Sequence, residues 1–290
     1  MALAKNGIRT KTYYCGIVKP EYIEIDLFPW QDRKINRKGK EKLTAPKQRN
    51  LNAKRAKRYF CLLLKTNFTE GDLHVTLTYN SKYLPESIEQ AEREVKNYLR
   101  RIANARKRKG LPPLKYIYLT EQGVQSKRIH HHLVINSGLS RDEIELLWRR
   151  QRRKGEKIGQ ALGDCNADRL RLDDKGLERL AAYLSKDPKG RKRWTPSQNL
   201  QKPQVSISDT KTSRKKFQQL LLLPVDCEAV KEHFEKQYPG YVLTECSKEF
   251  NEITGQWAIY VKMRRRGSVW RINPPEKGVF PGIAAVKKGT

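Results

Sequence analysis

The chain has 290 residues, with 61 Lys and Arg against 31 Asp and Glu, a formal charge of +30. Apolar residues make up 37% and aromatics 9%, enough to bury the core of one large domain or two modest ones, but lean enough that part of the chain is expected to be exposed or ordered only on binding. So large a positive charge calls for a polyanion, and nucleic acid fits best: no apolar run reaches the ~18 residues of a membrane span and Met1 to Thr10 lacks a signal-peptide core, so secretion and membrane insertion are not expected and a cytoplasmic location is.

In chain order, Tyr22 to Phe28 reads as a strand. The sequence then turns basic: between Asp32 and Arg58, 12 residues are Lys or Arg and only Asp32 and Glu41 are acidic. Such density of cations suits counterion release on phosphates, and Asn50 to Leu64 can continue as a helix through Leu51, Ala56, Tyr59 and Leu63. Leu73 to Tyr79 alternates and is a strand. After Pro85, Ile88, Ala91, Val95, Leu99 and Ile102 recur at steps of three and four, giving one apolar face of a long helix that Gly110 and Pro112-Pro113 stop. Lys115 to Glu121 and Ile129 to Asn136 are two strands. Ser140 with Glu143 three residues on is a capping box opening a helix through Ile144, Leu147 and Trp148. Cys165 to Leu172 is a short strand, and Asp174 to Lys186 a helix with Leu177, Leu180, Ala181 and Leu184 on its buried side. Trp194 to Ser213 is polar and reads as a linker. Beyond it come a helix, Ala229 to Tyr238, and a hairpin of Gly240 to Cys246 with Gln256 to Met263.

Strand, helix, strand, strand, helix, strand predicts an α+β fold: a ferredoxin-like split βαβ antiparallel sheet with its helices on one face and a further helix beside it. The expected division is a basic N-terminal region (1–70), this core (71–193), and a linker with a small α/β C-terminal unit (194–290). The five cysteines are scattered, with no C-x-x-C pair, so neither a disulfide framework nor a zinc ribbon is signalled. No phosphate-binding G-x-x-x-x-G-K-[ST] loop occurs.

The chemistry concentrates at His130, His131 and His132, three of the five histidines in the chain. On a strand His130 and His132 share a face and His131 points oppositely. Two imidazoles at that spacing can grip one divalent metal; a trio of surface or phosphate-contacting histidines is the other reading. Antiparallel pairing of the two strands would bring the Glu121 carboxylate to the same face, either as a third ligand or as a strand-end acid answering a local cation. Two imidazoles and a carboxylate with open positions suit Mg²⁺ or Mn²⁺ in a phosphate site. Tyr183 lies at the border of the last core helix's apolar stripe, with Lys186 about 60° round the helix. A phenol needs activation to act as a nucleophile, and an adjacent ammonium favours the phenolate and offsets charge on a pentavalent phosphate. Alone, a tyrosine so placed is usually a core-packing residue.

Taken in order, these residues resemble the HUH endonuclease superfamily: rolling-circle replication initiators, relaxases and single-tyrosine transposases. His74-Val-Thr-Leu-Thr-Tyr79 is similar to the first motif, His130-His131-His132 to the second and Tyr183-Leu-Ser-Lys186 to the third. Thr120-Glu121 and Lys186 to Gly190 resemble phage gene-II-type and Gram-positive plasmid initiators more closely. Two positions depart from the pattern. The middle residue of the histidine motif is usually hydrophobic and here is His131. Where some phage initiators carry a second tyrosine one turn earlier, this chain has Arg179.

The resemblance implies a site-specific single-strand DNA endonuclease that initiates rolling-circle replication. Tyr183 would attack a phosphodiester, giving a 5′-phosphotyrosine and a free 3′-OH. His130, His132 and Glu121 would hold Mg²⁺ or Mn²⁺, and Lys186 would orient Tyr183 or stabilise the transition state. Expected partners are single-stranded or extruded origin DNA, a host helicase and a host polymerase. Basic residues expected to track the DNA backbone are Arg100, Arg101, Arg106, Arg108, Arg149, Arg150, Lys189, Arg191 and Arg193; Trp194 offers either a base stack or core packing. A transposase or relaxase with the same chemistry, and a non-catalytic basic nucleic-acid-binding protein, are the alternative readings.

Overall fold

The computed structural model describes residues 6–16, 19–31, 45–123, 128–185, 193–252 and 255–267. In chain order its elements are β1 (Asn6–Cys15), β2 (Tyr22–Gln31), α1 (Ala45–Asn67), β3 (Leu73–Leu77), α2 (Ile88–Arg108), β4 (Tyr116–Gln122), β5 (Ile129–Ile135), α3 (Arg141–Leu146), β6 (Cys165–Arg169), α4 (Glu178–Leu184), β7 (Thr195–Pro196), β8 (Gln204–Ser208), α5 (Arg214–Leu222), α6 (Glu228–Gln237), β9 (Tyr241–Asn251) and β10 (Gln256–Arg265). They form a mixed α+β structure with two five-stranded antiparallel sheets. No helix among the described residues is long and apolar enough to cross a membrane.

The core sheet has the order β6-β3-β5-β4-β7. Its first four strands follow the split βαβ arrangement, with β5 antiparallel between β3 and β4. Period-two alternation sorts its side chains into two layers. Leu73, Val75, Leu77, Leu133 and Ile135 pack on Ala91, Val95, Tyr98, Leu99 and Ile102 of α2 and on Ile144. Ser87 caps α2 by accepting from the Gln90 amide, and Arg106, Lys107 and Arg108 occupy its last turn, where cations suit the negative end of the helix dipole. Both halves of the Ser140–Glu143 capping box form and start α3. That helix is one and a half turns long, so Trp148 falls past its end and donates from its indole to the Thr78 carbonyl at 2.8 Å.

On the opposite layer Ile117, Leu119 and Val134 meet Phe60, Leu63 and Leu64 of α1, Leu177 at the N-cap of α4, and Ala181 and Leu184 of α4 itself. The core sheet is therefore covered on both faces, where the sequence pattern suggests helices on one. The helix expected from Asp174 begins only at Glu178 because Gly176, at φ +69°, closes a turn on Asp173.

The second sheet has the order β8-β1-β2-β10-β9. It joins strands from both ends of the chain, so segments that read as an N-terminal arm and a separate C-terminal unit share one hydrogen-bonded layer and one apolar core with α5 and α6. The stretch that reads as a linker instead supplies β7 to the edge of the core sheet and β8 to the edge of the second sheet. α1 lies between the two sheets: Phe60 and Leu64 face the core sheet, and Leu62 packs on Cys15 and Tyr22 of the second.

That wedge carries buried charge. The Lys65 side chain is only 2% exposed and lies 3.2 Å from Glu24. Arg58 pairs with Glu24 at 3.1 Å and with Asp26 at 2.6 Å. Burial alone would raise the Glu24 carboxyl, but Lys65 and Arg58 outweigh it and hold the group below its ordinary value. A carboxyl so lowered gives stability at neutral pH that is lost as the pH falls through its folded-state value, because the unfolded chain takes up the proton first. Lys65→Met should therefore cost about 3 kcal/mol in urea unfolding, since it strips a buried carboxylate of one partner. Glu24→Gln should flatten the loss of wild-type stability below the ordinary glutamate range.

Candidate active site and metal centre

The register of β4 on β5 pairs Glu121 with His130 and Leu119 with His132. Since alternate residues share a face, Glu121, His130 and His132 converge on the α4 side of the sheet. One ligand atom from each lies within 4.8 Å of the others, and His130 Nε2 is 3.5 Å from Glu121 Oε2. Among the described residues this is the one group of three or more His, Cys, Asp or Glu with metal-ligand spacing. Two nitrogens and one carboxylate oxygen fit a single divalent ion with small closing movements, and leave coordination positions for oxygen donors.

β3 supports these ligands from the neighbouring strand. Thr76 Oγ1 lies 3.3 Å from His132 Nδ1, a hydroxyl contact that orients the ring beside the cluster. The His74 ring stacks on His132 with centroids 5.5 Å apart. The sequence pattern places these residues in the first motif but gives neither of them a task; the alternation of His74 and Thr76 on one face of β3 was the available signal.

His131 points the other way. It is fully buried, with Tyr79 Oη 2.9 Å from Nε2 and Thr120 Oγ1 3.0 Å from Nδ1. Burial, reinforced by His130 and His132, pushes its pKa down to about 3. It is a neutral core histidine filling the position a hydrophobic residue usually takes, and both its nitrogens have hydroxyl partners.

Tyr183 comes to this centre from α4. Its ring meets His132 edge-on with centroids 5.5 Å apart, and the residue is 49% exposed beside the buried Ala181 and Leu184. The structure thus brings together the tyrosine, two histidines and the glutamate that the sequence separates by some sixty positions. Arg179, one turn earlier, is exposed and pairs with Asp173 at 3.0 Å. Lys186, Lys189 and Arg191 lie outside the described residues.

The basic residues expected to contact DNA divide sharply. Arg106 is 2% exposed and donates to the carbonyls of Pro112, Asn136 and Ser137 at 2.9, 3.1 and 2.8 Å. It braces the turn after α2 and has no face left for a phosphate, which corrects its expected role. Arg101 donates to the Leu147 carbonyl, Arg149 to the Leu146 carbonyl, and Arg150 forms a two-pronged pair with Glu156. Arg100 and Arg108 are exposed, but α2 covers the sheet face opposite the metal cluster. Arg193 is half-buried, and Trp194 packs on Phe60 with ring centroids 4.8 Å apart, which is the packing role.

Residues 72–188 match the family described as replication-associated protein of the ORF2 and gene-II type. That span runs from the start of β3 past α4 and contains all three motif segments. No curated protein and no solved structure matches the chain.

The two faces of β5 separate two substitutions. His131→Leu should cost about 1–3 kcal/mol in thermal or urea unfolding, from the hydroxyls it leaves, yet retain Mn²⁺ binding by calorimetry. His132→Ala should lose most Mn²⁺ affinity with the fold intact.

Proposed function

We propose, on the premise that residues 72–188 are those of a replication-associated protein of the ORF2 and gene-II type, that this chain is a replication initiator that nicks one DNA strand through Tyr183. The observation that carries the reading is the meeting of the Tyr183 ring with His132 at the one cluster, among the described residues, suited to a metal.

In the reaction, the Tyr183 oxygen forms a bond to phosphorus and the bond from phosphorus to the 3′ oxygen breaks. The phenol proton leaves to solvent and the departing 3′ oxygen is protonated. The products are a 5′-phosphotyrosine and a free 3′-OH, a primer for a host polymerase once a host helicase opens the duplex. The phosphodiester energy is kept in the protein–DNA bond, so rejoining by a 3′-OH needs no ATP, in keeping with a sequence that carries no phosphate-binding loop. Bound at Glu121, His130 and His132, Mg²⁺ or Mn²⁺ would supply Lewis-acid polarisation of the scissile phosphate. Thr76 and His74 hold the His132 ring in its orientation. Lys186 follows Tyr183 at the spacing of the family's third motif, where an ammonium would offset the charge of the pentavalent phosphate. With Arg179 in place of an earlier tyrosine, α4 offers one nucleophile, so circle closure draws its second acceptor from another protomer or another strand.

Tyr183→Phe should abolish the covalent band formed with a labelled single-stranded origin oligonucleotide and Mn²⁺, while its dissociation constant stays within about twofold. Normal adduct formation in that variant would refute the nucleophile. Binding should also weaken steeply with salt, log K falling linearly with log salt by ~0.7 per phosphate contacted; a flat response would mean that the +30 charge serves another partner.

A further inference from the structure

α4 is seven residues long, and its N-cap, Leu177, makes no side-chain capping hydrogen bond. A helix this short has little stability of its own. Its apolar edge packs on α1 and on Ile117, Leu119 and Val134 of the core sheet, a contact that is non-directional and so adds little to where the helix starts. What fixes its entrance is charge from the second sheet. Glu178, in the first turn, lies 2.6 Å from Lys262 of β10 and 3.9 Å from Lys65 of α1. Lys262 also meets Glu245 of β9 at 3.3 Å, and Glu245 meets Lys175 at 2.6 Å. Lys65 continues the chain of charges to Glu24 of β2. Just upstream, Arg264 pairs with Asp174 at 3.3 Å.

Shape adds to charge. The Tyr22 hydroxyl donates to the Asp173 carbonyl at 3.2 Å, and its ring lies flush on Gly176. A Cβ at Gly176 would come within 2.9 Å of that ring, at a φ of +69° that L side chains rarely adopt. Strands β2, β9 and β10 thus grip residues 173–178, the approach to the helix that carries Tyr183. None of the three belongs to the sheet that holds Glu121, His130 and His132.

We infer that the second sheet is the positioning element for the nucleophile, acting principally through the pair of Lys262 on β10 with Glu178 on α4. The inference rests on the reading of Tyr183 as the attacking group. Strands from the two ends of the chain, joined in one layer, set where the phenol stands relative to the metal cluster. A displacement near 1 Å is enough to cost about 10²-fold in rate when attack geometry is lost.

Single-turnover cleavage at saturating oligonucleotide, with affinity measured separately in a Tyr183→Phe background, tests it. Lys262→Met and Glu178→Gln should each slow the cleavage step by about tenfold or more and leave the dissociation constant within about twofold. Because one removes a positive and the other a negative charge, an effect exerted through the general field on DNA would move the two in opposite directions. The double variant should be no slower than the slower single one, and Lys262→Arg should recover most of the rate. Unchanged rates in both variants, or a loss confined to affinity, would overturn the proposal. Thermal melting separates misfolding from misplacement; if Lys262→Met unfolds, the isosteric Glu178→Gln carries the test alone. A wild-type chain that forms no adduct at all would instead remove the nucleophile reading on which the inference stands.

Discussion

The antiparallel register of β4 on β5 is the constraint from which the site follows. A slip of one residue would turn His130 and His132 toward α2 and bring His131 to the α4 side, because side chains on a strand alternate faces. The hairpin is held in place from both sides. Leu133 and Ile135 are buried under α2, Val134 under α1 and α4, and His131 is bracketed by two hydroxyls. A third histidine in the motif is thus compatible with a single metal cluster: its polarity is satisfied inside the core, and its low pKa keeps it uncharged there.

The remainder of the chain is organised around α1. Its second half is apolar toward both sheets, and the buried Lys65 and half-buried Arg58 meet acids of β2. Buried ion pairs seldom add net stability over apolar replacements, but an unpaired charge there is expensive, so they specify one arrangement of the elements that share them. The same network runs through Glu178, at the entrance of α4, and on to Lys262 and Glu245 of the second sheet. Packing of the two sheets and placement of Tyr183 are therefore features of one set of contacts.

Much of the core was legible because its signals are local. The apolar face of α2, the capping box at Ser140 and the alternation through His130–His132 are each readable within a dozen residues. The second sheet was not, for a physical reason. β1 turns Thr10 and Thr12 inward instead of aliphatic side chains, and they are satisfied by Thr212 and Tyr238 far along the chain. β8 is a five-residue edge strand whose alternating Val205 and Ile207 stay exposed, so it lies in a polar stretch with only a brief period-two signal. The pairing of β2 with β10 links residues some 230 positions apart, which no local period records. Arg106 misled for the converse reason: in a cationic cluster, nothing in the sequence distinguishes an arginine that binds three carbonyls from one that faces solvent.

The central claim is chemical: a covalent bond between Tyr183 and the 5′ end of a cleaved strand. Mass spectrometry of a tryptic digest after incubation with single-stranded DNA and Mn²⁺ tests it most directly. The account requires the peptide 180–186 to carry a nucleotide phosphate on its tyrosine. An adduct mapped to any other residue, or cleaved DNA with that peptide unmodified throughout the time course, would contradict it.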